Sequence, residues 1–252
     1  MTKHLRVNQS GSAKNKSQKS KNLKTHVHIV LDRSGSMSSC HQSTVSGFNE
    51  YLNTLRADKE GKYFVTLTQF DSDYSGPQIE ETFSDLPLSK VCDLEMSDFQ
   101  PRGMTPLLDA IGVSIIRTEK SVAKKRGMNA VVLVIITDGG ENSSREFKND
   151  AIANLIDRKE KDGWTVAYLG ANQDAFTVGA SMGFKLDKTM NYNTSHIQNT
   201  FKDLATTTVT RRALYDSNAR GLAPNASEAE IKRAMANVAS AAFFKDTDDA
   251  KS

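Results

Sequence analysis

Val131-Val132-Leu133-Val134-Ile135-Ile136-Thr137-Asp138-Gly139-Gly140 opens with six consecutive apolar residues, mostly β-branched, and no polar alternation. A strand covered by helices on both faces reads this way, and such strands belong to parallel sheets. Outward from it, apolar runs of strand length alternate with helical periods, the mark of βαβ units. Toward the N-terminus, Val27 to Leu31 and Phe64 to Phe70 read as strands. Between them Val45, Phe48, Leu52 and Leu55 share one face of a helix that ends near Lys59 to Gly61. Ile79 to Leu94, broken by Pro87 and dotted with acids, reads as an edge strand or hairpin element. A helix starting at Pro106, with Thr105 as its cap, buries Leu108, Ile111, Ile115 and Val122 and runs to about Lys125. Toward the C-terminus, a helix carrying Phe147, Ile152, Leu155 and Ile156 closes at Gly163 and feeds a strand from Thr165 to Leu169. Asp174 to Met182 makes a short helix, Thr189 to Tyr192 a last strand, and Ser195 to Leu204 a last helix.

The 252 residues, 38% hydrophobic and 25% charged, are ordinary globular usage and enough for one large domain. No run of eighteen apolar residues and no apolar leader is present, so the expectation is a cytoplasmic protein without a membrane span. Cys40 and Cys92 form no CxxC pair and the five histidines show no zinc spacing. The net charge of +3 hides a split: residues 1–24 carry seven bases and no acid, which leaves 26 bases against 30 acids, or −4, for the rest. That basic tail reads as solvated chain, with attraction to nucleic acid as the sharper alternative. Residues 208–226 read as a linker. Ser227 and Glu230 then form a capping-box pattern ahead of Ile231, Met235, Val238 and Phe243, giving an amphipathic helix over 227–245 that either packs on the domain or docks a partner.

Three oxygen-bearing segments follow strands or precede a helix: Asp32-Arg33-Ser34-Gly35-Ser36, Gly103-Met104-Thr105-Pro106, and Thr137-Asp138-Gly139-Gly140-Glu141-Asn142. Each has a plain reading, as loop, cap or turn. In a doubly wound sheet, however, they meet at the carboxyl ends of the strands, where a reversal of strand order leaves a crevice. If the Val27 and Val131 strands are neighbours there, Asp32 and Asp138 stand on its two lips. Two carboxylates and three hydroxyls, from Ser34, Ser36 and Thr105, make an all-oxygen set suited to Mg²⁺, with Mn²⁺ an equivalent fit. With the hydroxyls direct and the aspartates acting through water, the ion stays electrophilic, and a Glu or Asp from a protein partner completes its shell.

These five residues, in this order and placement, resemble the metal-ion-dependent adhesion site of von Willebrand factor type A domains. The resemblance covers residues 25–207. It implies a three-layer, mostly parallel six-stranded sheet with one antiparallel edge strand, near residues 81–88, and helices on both faces. It also implies a metal-dependent protein-binding module rather than an enzyme, with Ser34, Ser36 and Thr105 as direct ligands and Asp32 and Asp138 as mainly water-mediated ones. Some members of the family shift their last helix, here near residues 195–207, when the ion acquires an acidic ligand. Bacterial and viral relatives often work beside ATPases or assembly machines.

Among other candidates, Asp71 and Asp73 are placed to border the crevice, and Arg33 to select an acidic partner. His26 and His28 read as packed strand histidines, and Cys40 as an inert thiol. Enzyme readings lack their parts. There is no GxxxxGK[ST] loop and no strand-linked GxGxxG, and the G-x-S-x-G elbow lacks its first glycine. The acid that phosphatases of the haloacid-dehalogenase type carry two residues after the first aspartate is Ser34 here. The alternative to an intracellular adaptor is a scaffold in a nucleic-acid assembly, its basic tail contacting phosphates.

Overall fold

The computed structural model describes residues 23–171, 174–223 and 225–244. Six strands, β1 (Lys24–Asp32), β2 (Tyr63–Asp73), β3 (Gly76–Pro87), β4 (Asn129–Thr137), β5 (Thr165–Ala171) and β6 (Thr189–Tyr192), form one sheet in the order β3-β2-β1-β4-β5-β6. Every neighbouring pair is parallel except β2 and β3. The Val131 run lies inside β4, and all but the first residue of that strand are buried, as its lack of alternation requires.

Helices α1 (His41–Ala57), α5 (Ile197–Arg220) and α6 (Glu228–Ser240) cover one face, where Phe48, Leu52, Phe201, Leu204 and Val238 pack on Ile29, Leu31, Val132 and Val134. Helices α2 (Leu107–Val122), α3 (Asn149–Lys161) and α4 (Ala175–Ser181) cover the other, where Leu107, Ile111, Ile115, Ile152 and Ile156 meet Val30, Val131, Leu133 and Val166. Burial on both sides explains why alternate residues of β4 are equally apolar, whereas β1 carries Val27, Ile29 and Leu31 on one face and His26, His28 and Val30 on the other. The two histidines of β1 are buried beneath this packing. His28 bonds to Thr118 at 2.6 Å and Thr68 at 2.8 Å, and burial, with the Arg117 charge nearby, lowers its pKa to about 3. His26 lies between Asp85 and Asn129. Among the described residues no helix is long and apolar enough to cross a membrane.

Several elements depart from expectation. The antiparallel strand is centred earlier than residues 81–88, because Gly76-Pro77 begins the strand instead of ending a turn. The segment expected as a linker over 208–226 is helical as far as Arg220. Its run of threonines returns hydroxyls to carbonyls four residues back, as from Thr206 to Lys202 and Thr208 to Leu204. Burial of Arg211, Arg212, Tyr215 and Ala219 then outweighs the weak propensity. Arg212 pairs with Asp58 at 2.7 Å, and the Tyr215 hydroxyl lies 2.9 Å from that of Thr165 and donates to the Gly163 carbonyl.

Helix α6 packs back on the domain. Met235, Val238, Phe243 and Phe244 are buried, and the buried Arg211 guanidinium donates to the carbonyls of Val238, Ala241 and Ala242 at its end. The Ser227–Glu230 capping box is present. Residue 245 and all of the basic tail except Leu23 and Lys24 lie outside the described residues.

Candidate metal centre

The sheet order places the site. The chain runs outward from β1 to β2 and β3, then returns to lay β4 on the other side of β1, so strand order reverses between β1 and β4. Their register pairs Leu31 with Ile136, which brings Asp32, the last residue of β1, opposite Thr137. Asp138 follows directly. The two aspartates therefore line the crevice that this topology opens.

Within it the side chains form a connected set. Asp32 Oδ1 accepts from the Ser34 backbone N–H at 2.7 Å, and Oδ2 from the Thr137 hydroxyl at 2.5 Å. The Ser34 and Ser36 hydroxyls are 3.2 Å apart, and Ser36 donates to Asp138 Oδ1 at 2.5 Å. Ser34 precedes a 3₁₀ turn over Gly35–Cys40 but does not cap it, so its hydroxyl remains available. Thr105 is brought in from the third loop. A Cβ at Gly139 would lie 3.2 Å from Thr105 Oγ1, 3.7 Å from Ser36 Oγ and 3.9 Å from Asp32 Oδ2. Oxygens from two further loops thus converge on a point beside Gly139 that any larger residue would fill.

Thr105 does not cap α2 as expected. That helix begins at Leu107, and its free N–H groups are taken from outside: Leu108 donates to Glu141 and Asp109 to Ser144. The Thr105 backbone is clamped instead by Asn142, which accepts its N–H at 2.7 Å and donates to its carbonyl at 3.2 Å. Asp109 in turn accepts the backbone N–H groups of Arg145, Glu146 and Phe147. The Thr105 and Asp138 loops therefore hold each other.

On the other side, Asp71 is fully buried between Arg33 at 3.0 Å and Arg102 at 2.5 Å. Arg33 also reaches Glu80 at 3.1 Å. It is committed to this network and largely buried, so it does not face a partner as the sequence suggested. Asp71 does not enter the oxygen cluster; it ties the first loop to the Thr105 loop. Asp73 is exposed and bonds within its own turn to Ser75. Gly103 passes so close to the Ser72 carbonyl, with φ of 64°, that a side chain there would collide with it.

Burial pushes the Asp32 carboxyl up to about 7, against the opposing hydrogen bonds from Thr137 and Ser34 and with the Asp138 charge adding to the rise. Asp138 is raised too, by burial, opposed by the Ser36 hydroxyl. Two carboxylates held together without a nearby cation carry the electrostatic signature of a cation site. The donor set is all oxygen, with two carboxylates and three hydroxyls, and among the described residues no group of three or more His, Cys, Asp or Glu side chains gathers, here or elsewhere. These residues fit a hard divalent ion. The Cys40 thiol, next to this site, is buried and shifted upward by that burial, in keeping with an inert role.

The structure brings together Asp32, Ser34, Ser36, Thr105 and Asp138, the five residues singled out in the sequence. Thr137, Glu141 and Asn142 stood in the same motif, but nothing local showed that they would serve Asp32, α2 and Thr105. Arg102 and Asp71 carried no pairing signal at all, being 31 residues apart.

Comparison with solved structures identifies the architecture. The chain superposes on the von Willebrand factor domain of the type V pili tip protein Mfa5 from Porphyromonas gingivalis with a TM-score of 0.51 and 10% identity, over 73% of this chain and 94% of that one. The fold is that of a von Willebrand factor type A domain. The VWA fold is shared with the pilus adhesin SpaC from Lactobacillus rhamnosus GG in its open conformation (TM-score 0.56, 13% identity, 76% of this chain and 30% of that one). A further likeness is to proximal thread matrix protein 1 from the mussel byssus (TM-score 0.54, 11% identity, 74% of this chain and 46% of that one). The chain thus spans less than half of the last two. No protein-family model matches the sequence, and none of the curated proteins compared with it is similar.

Proposed function

We propose that this VWA domain is a metal-dependent protein-interaction module, in which Mg²⁺ or Mn²⁺ held by Asp32, Ser34, Ser36, Thr105 and Asp138 receives a Glu or Asp side chain of a partner. The observation that carries this reading is the convergence of five oxygen-bearing side chains, from three loops, at the reversal of strand order. When bound, the ion supplies a Lewis-acidic position for an incoming carboxylate. The protein's own part is to orient the hydroxyls of Ser34, Ser36 and Thr105 toward that position and to hold Asp32 and Asp138 behind them through Thr137 and Ser36. An adhesin and a pilus tip protein among the similar structures support an interaction role rather than catalysis. Free thiols at Cys40 and Cys92 suit a reducing compartment, which supports a cytoplasmic adaptor.

Thermal unfolding in Mg²⁺ tests the site. An ion at a hundred times its dissociation constant adds about 2.7 kcal/mol, and Thr105→Ala or Asp138→Ala should remove that gain while leaving the metal-free fold intact. Equal metal responses in the wild type and both variants defeat the assignment. Affinity capture in Mg²⁺, in EDTA and with Thr105→Ala then addresses the partner. The second reading, a nucleic-acid scaffold acting through the basic tail, draws on the charge split alone. It requires binding that weakens steeply with salt and is lost on deleting residues 1–24.

A further inference from the structure

On the α2 side of the sheet, beside the edge strand, a cavity of about 330 Å³ is lined by Arg117, Lys120 and Lys124 from α2 and the turn after it, by Glu81 and Ser84 from β3, and by Thr66 from β2. We propose that this cavity binds a small phosphate-bearing anion, independently of the metal centre, with which it shares no residue.

The charge pattern points that way. Arg117 and Lys120 share one face of α2, Lys124 follows in the turn after it, and none of the three cations pairs with a carboxylate among the described residues. The acids next in sequence to the lining residues Ser84 and Lys120 are already engaged. Asp85 is held by His26 at 2.8 Å and Lys125 at 2.7 Å, and Glu119 by Lys159 at 2.5 Å. Three cations against Glu81 leave the cavity at +2, the complement of a phosphate dianion, on a body whose net charge from residue 25 onward is −4. Arg117 is also positioned, because it donates to the Ile79 carbonyl at 3.0 Å. That leaves other N–H groups of its fork for a planar oxygen pair.

The backbone of the facing wall is irregular in a way that builds the cavity. Residues 81 and 84, three apart, point to opposite faces of a regular strand. Here the pairing shifts twice, between Thr68↔Glu81 and Leu67↔Phe83 and again between Leu67↔Phe83 and Val65↔Leu86, and each shift inserts one extra residue on β3. Asp85, at φ of 48°, is the one non-glycine residue with left-handed φ among the described residues, and its N–H is caught by Thr66 Oγ1 at 2.9 Å. This bulge brings the Ser84 hydroxyl into the same cavity as Glu81. Bulges that re-aim a side chain recur beside binding sites, and a volume near the lower end of small-ligand pockets suits one or two phosphoryl groups.

The test is a titration of the metal-free, full-length protein with pyrophosphate at constant ionic strength, followed by amide chemical shifts and by melting temperature. Saturable shifts confined to residues around 66, 81–85 and 117–124 are expected. Lys120→Gln with Lys124→Gln, both exposed positions, should weaken binding about tenfold or more, and Glu81→Gln should tighten it severalfold. Three results overturn the proposal: no saturation, saturation mapping elsewhere, or equal affinity in the double variant. Because the protein is free of metal throughout, failure here leaves the metal reading untouched, and failure of the metal reading leaves this one standing.

Discussion

Replacing Asp32 by asparagine removes one of two carboxylates from the oxygen cluster while keeping its shape. In the metal-free protein burial raises the Asp32 carboxyl from 3.8 to about 7. A group whose folded pKa lies above its unfolded value favours the fold while both states are protonated, below about pH 4. That advantage is lost progressively as pH rises through about 7. The full difference of about three units corresponds to about 4 kcal/mol at pH 8, and relaxation around the buried charge trims it to about 2–4 kcal/mol. The asparagine carbonyl can still accept from the Ser34 N–H, and the Thr137 hydroxyl can turn to accept from the amide. In chelated buffer at pH 8 the variant should therefore be more stable than the wild type by about 2–4 kcal/mol, a rise in melting temperature of at least about 4 °C. The two should converge near pH 4. His28, whose lowered pKa acts with the opposite sign, is common to both proteins and cancels in the difference. Adding Mg²⁺ should reverse the order, because the wild type alone gains. Urea unfolding at several pH values, with and without Mg²⁺, measures all of this. A variant less stable than the wild type by the same amount at pH 4 and pH 8 would refute the electrostatic account.

Gly103→Ala should cost about 1–3 kcal/mol, since it combines a left-handed φ with a collision at the Ser72 carbonyl. It should also blunt the Mg²⁺ response through Thr105, and an unaffected melt and metal response would remove the close approach from the argument. Arg211→Met leaves the carbonyls at the end of α6 without their buried donor. A loss of about 2–4 kcal/mol is expected, with faster hydrogen exchange over residues 228–240, and unchanged exchange there would show that the apolar contacts alone hold α6. The His28 imidazole should stay neutral from pH 8 down to about 4, so its contribution to stability is full above about 6.5 and declines as pH falls toward 3. An NMR midpoint near 6.5 would contradict its burial.

The sequence displayed the strands that are buried on both faces, because nothing there competes with apolar content: β4 and β1 appear where their Val and Ile runs place them. It was poorer where polar residues are held by distant partners. The latter half of α5 looked like a linker because Asn218, Gly221, Pro224 and Asn225 break the apolar period and the threonines before them are weak helix formers; its stability comes from Tyr215 against Thr165 and Arg212 against Asp58, contacts 50 and 154 residues apart in sequence. The same distinction runs through the candidate metal centre. Its five oxygen-bearing residues form short motifs and were readable, whereas the groups that aim them, Thr137, Asn142, Arg102 and Asp71, act across the fold. Arg33 was misjudged for that reason, since its loop position suggested exposure while its charge belongs to a carboxylate on β2.

The buried Asp71 carboxylate bears on how such a domain can be re-engineered or diversify. It is shared by the buried Arg33 and the half-exposed Arg102, from two different loops, and removing Asp71 or Arg33 strands a buried charge at a cost of several kcal/mol. Residues 33, 71 and 102 are therefore coupled in any change to either loop. A loop transplanted from another protein of this fold must bring all three charges or none, so the surface around the candidate site is free to vary only between these anchor points.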